Sequence, residues 1–283
     1  MLKVNLEYEF KQDLSFIMEA EKQSILDLTE SLNISRMTLE KIKNNEPVND
    51  DVMEKLYCYI YDKKYRLNKI KEELLKETYP LVLFHGSKFG LNDISPIGAR
   101  NNCDFGNGFY LGETYEQALA FTYDKPKSSV YAFKADISNL KIKKLTYDLQ
   151  WMLTICYYRG SLKKYENHPL MQKCIKEIED ADVIISPIAD NKMFHIMSQF
   201  ADGDINADVA IHSLSASNLG MQYIFKSEKA LNALTPLKKL YICEFERKNM
   251  QNKLNERAYE IDTKLKLAKR EYKNGLYIEE ILK

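Results

Sequence analysis

LVLFHGSKFG, residues 81–90, and CDFGNGFYLGETYEQALAFTY, residues 103–123, decide the reading of this chain. The first is an apolar run of the kind found in buried strands, and it delivers His85, Gly86 and Ser87 at its end. In the second, Gly106 and Gly108 permit a tight turn and a close backbone approach. Phe109-Tyr110-Leu111 then reads as a strand, and Glu113 to Tyr123 as the helix that follows it. A third stretch, NLGMQYIFKSEKAL at 218–231, reads as a short strand running into a helix.

Working outward, YAFKADI (131–137) and KKLYICEFE (238–246) alternate as strands do, and ADVIISPIAD (181–190) is an apolar strand stopped by Pro187. TYDLQWMLTICYYRG and HPLMQKCIKEIED, both within residues 146–180, read as helices. The mixed order predicts an α+β domain over residues 80–247. Pro80 ends the charged amphipathic helix LNKIKEELLKE that precedes it, so residues 65–79 read as a linker helix. After Phe245 helical periodicity continues through Leu254, Ala258, Ile261, Leu265 and Ala268, with a second apolar group at Leu276, Ile278 and Ile281, which makes 248–283 a helical tail.

Residues 12–78 are helical throughout by pattern, with Pro47 as their single proline. Ser24 and Ser35 each stand where an N-cap would open a short helix, Ile25 to Leu32 and Arg36 to Lys43, with Asn33 at the corner between them. Ile25, Leu28, Leu32, Ile34, Leu39 and Ile42 supply the apolar seam. This spacing, with the phrase LNISRMTLEKIKNN, resembles the helix-turn-helix of phage-repressor-type DNA-binding domains, and residues 1–64 are assigned to it. The resemblance implies that Arg36, Thr38, Lys41 and Lys43 on the second helix face bases or phosphates. The alternative use of the same helices is docking or dimerisation.

Charge favours that alternative more than is usual for such a motif. Residues 1–78 carry 13 basic and 16 acidic side chains, a net of −3; residues 79–246 carry 18 and 19, a net of −1; and residues 247–283 carry 10 and 6, a net of +4. A nucleic-acid partner would have to be met by a local patch. The five cysteines are scattered, odd in number and form no CxxC pair, which argues against a zinc site and a disulfide framework; no metal is expected. MLKVNLEYEF lacks the basic start and apolar centre of a signal peptide, and nowhere do about 18 apolar residues run together, so a cytoplasmic protein with no membrane partner is expected.

The HGS of residues 85–87 followed by G-N-G-F-Y-L at 106–111 closely resembles the nicotinamide-binding half of the poly(ADP-ribose) polymerase and diphtheria-toxin-like ADP-ribosyltransferases. The resemblance implies a split-sheet fold and NAD as substrate. It implies that His85 hydrogen-bonds the adenosine ribose, that Gly86 with neighbouring Ser87 and Gly108 lines the pocket, that the Gly86 backbone holds the carboxamide, and that Tyr110 stacks on nicotinamide. A second aromatic stands eleven positions after the tyrosine in that family, and here it is Phe121. A flat aromatic slot suits a planar pyridinium ring and its charge.

The family's third motif carries a glutamate that grips the ribose hydroxyl and stabilises the oxocarbenium-like centre. Gln222 stands at that position. A glutamine can accept a hydrogen bond, but it brings no charge and cannot act as a base. Glu228 lies six residues on, in the following helix, and is a poor replacement. D-F-G-x-G-F-Y, A-D-V-I-I-x-P-I-A-D and Q-Y-I-F-x-x-E-K-A-L together also resemble a little-characterised bacterial group of this superfamily that has glutamine there. On that reading Asp190 is a candidate for the missing acid, with Asn191 beside it, while Asp104 and Arg100 are candidates for positioning adenine or pyrophosphate. His168, His195 and His212 lack metal spacing.

The expectation is therefore an NAD-dependent mono-ADP-ribosyltransferase, passing ADP-ribose to a protein or nucleic-acid acceptor. A helix-turn-helix fused to such a domain resembles effectors of toxin-antitoxin or phage-defence systems, in which it would hold an antitoxin or DNA. The alternatives are an NAD- or ADP-ribose-sensing transcription regulator without catalysis, and an NAD glycohydrolase.

Overall fold

Side-chain caps from Ser24, Ser35 and Asn49 mark where three of the N-terminal helices begin. In a computed structural model, which describes residues 2–95, 103–215 and 219–283, strand β1 (Leu2–Lys3) precedes α1 (Phe10–Glu21), α2 (Ile25–Leu32), α3 (Arg36–Lys43), α4 (Asp50–Asp62) and α5 (Leu67–Thr78). Ser24 Oγ accepts from the Asp27 N–H at 3.3 Å while the Asp27 carboxylate takes the Ser24 N–H at 2.7 Å, a reciprocal cap worth about 1 kcal/mol. Asn33 closes α2 in the left-handed region at φ 49°, which turns the chain sharply into α3. The six seam residues from Ile25 to Ile42 are buried against Leu14 and Ile17 of α1 and Met53, Leu56 and Ile60 of α4.

The sheet follows. Its strands are β2 (Val82–Ser87), β4 (Phe109–Gly112), β5 (Ser129–Ala135), β6 (Ile142–Lys144), β7 (Val183–Pro187), β8 (Met221–Phe225) and β9 (Leu234–Tyr241), in the order β6-β7-β8-β4-β2-β5-β9. Among these strands β6 and β7 run parallel, and the other neighbours are antiparallel. β2 pairs with β5 along its whole length, from Val82↔Lys134 to Ser87↔Ser129, yet it meets β4 at the single pair Phe84↔Gly112. The sheet is thus a three-strand ladder and a four-strand ladder joined at one residue pair.

Pleat alternation assigns the faces. Leu83, Phe109, Leu111, Tyr131, Phe133, Val183, Ile185 and Phe225 form one continuous apolar layer on one side. On the other side the two ladders are covered separately. Phe84, Val130, Ala132 and Leu240 lie under the short helix α6 (Tyr115–Ala120), with Leu75 of α5 and Met250 of α12 (Glu244–Glu271). Ile184 and Ile224 lie under α7 (Leu149–Tyr158), α8 (Pro169–Glu179), α9 (Asn191–Ala201) and α10 (Ala207–Ser215).

The α+β class agrees with the sequence reading, and four details differ from it. Residues 2–8 belong with the sheet and not with the helix-turn-helix, because β1 pairs with β3 (Asp93–Ile94), Val4 is buried beside Leu83, and Tyr8 bridges to Lys239 of β9. The expected linker helix is a buried element: Asn68, Lys71, Glu72 and Leu75 of α5 are all nearly inaccessible. Residues 248–283, expected as a helical tail, also contribute to the core, since Ile261 and Ala268 of α12, Ile278 of α13 (Ile278–Ile281) and Leu282 pack beneath α7 to α10. The helix expected from Glu113 to Tyr123 is shorter, starting after an N-cap at Thr114 and ending at Ala120.

Polar groups lock the helical unit to the sheet. Asn68 Nδ2 donates to the Tyr241 carbonyl at 2.8 Å and to the Tyr115 hydroxyl at 2.9 Å, and Tyr115 Oη donates to Glu246 Oε1 at 3.1 Å. Glu72 Oε2 accepts from the Tyr115 N–H at the start of α6. Burial raises the Glu246 carboxyl above the ordinary glutamate range, partly offset by hydrogen bonds from Asn68, the Cys243 N–H and Tyr115. A carboxyl whose folded pKa is raised contributes stability that is fully present below the unfolded value and lost as pH rises through the folded one. Urea unfolding from the ordinary glutamate range upward should therefore show stability declining with pH, and Glu246→Gln should flatten that component; an unchanged pH profile would contradict the assignment.

Candidate functional site

The single contact between β2 and β4 brings the His85, Tyr110 and Gln222 strands side by side, in the order β2-β4-β8. Gly112 stands opposite Phe84 on one edge and opposite Gln222 on the other. Tyr110 pairs with Ile224, so Tyr110 and Gln222 share the face covered by α7 to α10. The His85 ring lies on the opposite face, tilted 32° against the Phe109 ring at 4.4 Å between centroids. The two residues expected to form one centre are joined through the main chain instead: His85 Nδ1 lies 2.8 Å from the Tyr110 carbonyl oxygen. A carbonyl can only accept, so Nδ1 carries the proton and donates it to Tyr110.

The glycines have structural roles that their spacing alone did not reveal. A Cβ on Gly86 would lie 2.2 Å from the Ala118 carbonyl oxygen, so α6 rests directly on β2 at this point. One on Gly108 would lie 2.5 Å from Ile224 Cγ2. Gly106 occupies the left-handed region at φ 70°. The turn it makes is held by the Tyr110 phenol, which accepts from the Phe105 N–H at 3.1 Å and donates to the Gly106 carbonyl at 2.8 Å. Burial drives that phenol far above its usual range, so it stays protonated. Ser87 Oγ donates to the Gly90 carbonyl at 2.5 Å and closes the turn after β2. Phe121 is the residue that ends α6 and is half exposed. Lys88 and Asp124 pair at 2.8 Å, tying the turn after β2 to the segment after α6.

Gln222 is buried, and its partners are specific. Nε2 donates to Asp104 Oδ2 at 3.0 Å and to the Pro187 carbonyl at 3.2 Å. The other oxygen of Asp104, Oδ1, accepts a hydrogen bond from Arg159 Nε at 2.7 Å and lies 2.5 Å from an Arg159 terminal nitrogen as an ion pair. Arg159 also donates to the Ala189 carbonyl and lies over the Phe194 ring at 4.4 Å. Lys226 donates to the Phe105 carbonyl from the other side of the loop, and burial lowers its ammonium. Burying charge is tolerated here because each carboxylate oxygen and the guanidinium have partners.

The carboxylate in contact with Gln222 is therefore Asp104. Asp190 is spent elsewhere: its Oδ1 accepts from the Met193 N–H at 2.8 Å as the N-cap of α9, and Asn191 is the exposed first residue of that helix. Arg100 lies outside the described residues. Glu228 opens the short helix α11 (Glu228–Leu231) and is exposed. On α3, Arg36, Lys41 and Lys43 are exposed, Arg36 sits 3.8 Å from Glu40, and Thr38 is engaged with Ser35, whose Oγ takes the Thr38 N–H. His168 caps α8, His212 stacks on Tyr272, and His195 is exposed. Among the described residues no three His, Cys, Asp or Glu side chains gather as a metal would require, and no helix is long and apolar enough to cross a membrane.

Arg159 was not foreseen from the sequence. A lone arginine at the end of a helix carries no signal, and its partner stands 55 positions away.

Fold and site thus define an α+β domain whose sheet narrows to one residue pair beside a buried Asp-Arg-Gln cluster. The chain belongs to a family described as protein of unknown function (DUF3990), whose model matches residues 81–235, from the residue before β2 into β9. No curated protein and no solved structure matches it. The matched span contains His85, Tyr110, Asp104, Arg159 and Gln222, and it excludes the N-terminal helices and α12.

Two substitutions test this geometry. Gly86→Ala forces a methyl against a main-chain oxygen that no rotamer change can relieve, and should cost about 3 kcal/mol in urea unfolding; an unchanged transition would mean that α6 is not seated there. Asp190→Ala should lose only the value of a helix cap, about 1 kcal/mol. A loss of ligand binding out of proportion to that would restore Asp190 to the site.

Proposed function

We propose that this chain is an NAD-dependent mono-ADP-ribosyltransferase with a split-sheet fold of the ADP-ribosyltransferase type. The observation that carries the reading is the adjacency of the HGS, GNGFYL and MQYIF segments on β2, β4 and β8, with the sheet opening between the first two. Past Phe84 the β4-facing edge of β2 has no ladder partner among the described residues, and this is the edge from which the Gly86 main chain would meet a carboxamide. The opposite approach, over the Gly86 Cα, is filled by α6. Tyr110 is held rigidly by its phenol, and Phe121 offers an exposed ring at the end of α6.

On this reading the bond from the ribose anomeric carbon to the nicotinamide nitrogen breaks, and nicotinamide leaves with the electron pair. The acceptor nucleophile bonds to the same carbon and releases its proton. Gln222 accepts from a ribose hydroxyl on its own face of the sheet and His85 Nε2, across the opening between β2 and β4, from a hydroxyl of the adenosine ribose, while Tyr110 and Phe121 flank the departing ring. With no unpaired carboxylate beside Gln222 among the described residues, the acceptor must bring its own nucleophilicity, which favours a single transfer over chain growth. The helix-turn-helix, with Arg36, Lys41 and Lys43 outward, would recruit DNA, an antitoxin or the acceptor itself in a toxin-antitoxin or phage-defence setting.

A second reading, an NAD or ADP-ribose sensor that regulates transcription, is favoured by one observation: the carboxylate that touches Gln222 is already neutralised by Arg159. Incubation with labelled NAD and cell extract separates the readings. The transferase should release nicotinamide and label a macromolecule, and His85→Ala or Tyr110→Ala should reduce both. Free ADP-ribose alone would indicate a glycohydrolase, and binding without release would indicate the sensor.

A further inference from the structure

We propose that Asp104 is the positioning residue of this site, fixing the Gln222 amide so that its carbonyl oxygen, and never its NH2, faces the ligand. The inference rests on the NAD reading above and adds to it the way in which an uncharged side chain serves a position that a glutamate fills in the resembling enzymes.

Donors and acceptors set the direction of the amide. Gln222 Nε2 sits between two groups that can only accept, Asp104 Oδ2 at 3.0 Å and the Pro187 carbonyl at 3.2 Å. Reversing the amide would set Oε1 against both, leaving buried acceptors facing an acceptor, which costs several hydrogen-bond equivalents in a buried setting. Arg159 holds the Asp104 carboxylate in one orientation, its Nε donating to Oδ1 with a terminal nitrogen 2.5 Å from the same oxygen, and this leaves Oδ2 to Gln222. Oε1 therefore points away from Asp104 and Pro187, as an acceptor held in one direction. It can draw on a ribose hydroxyl as charge develops at the neighbouring carbon, which a freely flipping amide would do only part of the time.

The same contacts explain why residue 222 is not a glutamate in this chain. A carboxylate there would stand 3.0 Å from the Asp104 carboxylate and 3.2 Å from a carbonyl oxygen, and two such acids share one proton rather than both ionise.

The test is a reciprocal exchange read by nicotinamide release from NAD and by thermal unfolding, using the full chain. In Asp104→Asn, Arg159 retains the carbonyl oxygen of the introduced amide, whose NH2 turns toward Gln222, and the Gln222 amide is driven to flip; kcat should fall about a hundredfold with the KM for NAD within about threefold. Gln222→Glu should melt lower than wild type, increasingly so as pH rises and the shared proton is lost. The double variant D104N/Q222E restores a donor facing an acceptor between residues 104 and 222 but leaves the Pro187 carbonyl without its donor, so it should recover part of the melting temperature lost in Q222E and more release than D104N alone retains. Should D104N alone not fold, Q222E against the double variant gives the same comparison.

Recovery of melting temperature without recovery of release would make the pairing purely structural and overturn the proposal. So would a double variant no more stable than Q222E. A wild-type chain that releases no nicotinamide sinks the enzyme reading, and the proposal with it, while the melting cycle separately reports whether the Asp104–Gln222 pairing exists.

Discussion

Helix α6 can lie against the sheet only because residue 86 has no side chain. The Ala118 carbonyl occupies the space where a Cβ would project, and from that contact much of the arrangement follows. α6 covers the three-strand ladder, so the four-strand ladder needs its own cover of helices, and two separate apolar layers form on that side of the sheet. β2 and β4 keep one paired residue between the two layers. The loop carrying Asp104, Phe105 and Gly106 runs beside the second ladder, where Tyr110 and Lys226 hold it through main-chain groups.

Local chemistry was legible in the sequence to the extent that it is local. Ser24, Asn33 and Ser35 mark helix ends because a cap needs only residues within one turn, and the two helices span the residues those caps delimit. The strands around Phe84, Tyr110, Ile185 and Ile224 were legible from apolar runs or alternation. Two-residue strands such as β1 and β3 have no period to read, and the N-terminal segment therefore gave no hint that it pairs with Asp93 and Ile94. Periodicity showed which side of residues 248–283 is apolar, but not that Met250, Ile261 and Ala268 on it would be covered by the rest of the fold. α9 and α10 were not foreseen as a pair of helices.

The site was legible in its outline and not in its wiring. The resemblance to the ADP-ribosyltransferases singles out His85, Tyr110 and Gln222, and the topology sets their strands next to each other. Pleat parity, however, sends the His85 ring to the opposite face from Tyr110, a consequence of register that no motif states. Asp190 was the acid expected near Gln222 because it follows a strand end, whereas the contact comes from Asp104 across a loop. Choosing between them requires knowing that Asp190 has a helix to cap and that Arg159 waits for Asp104.

The pairing of β1 with β3 gives the helical unit an unusual mechanical position. Its chain leaves the sheet after Tyr8 and returns through α5 to Val82, so the unit is an insertion clamped at both ends. A pull on the N-terminal helices is resisted at β9 and α12, where Glu54 meets Tyr241 and Arg247, and also at two anchors nearer β2. One is the turn between β2 and β3, through Val4 and the Asn92 carbonyl; the other is the start of α6, through Glu72 and Asn68. Those anchors lie on the two sides of His85 and Gly86. Part of any load on the helices thus acts across the end of β2, the strand whose edge is left open.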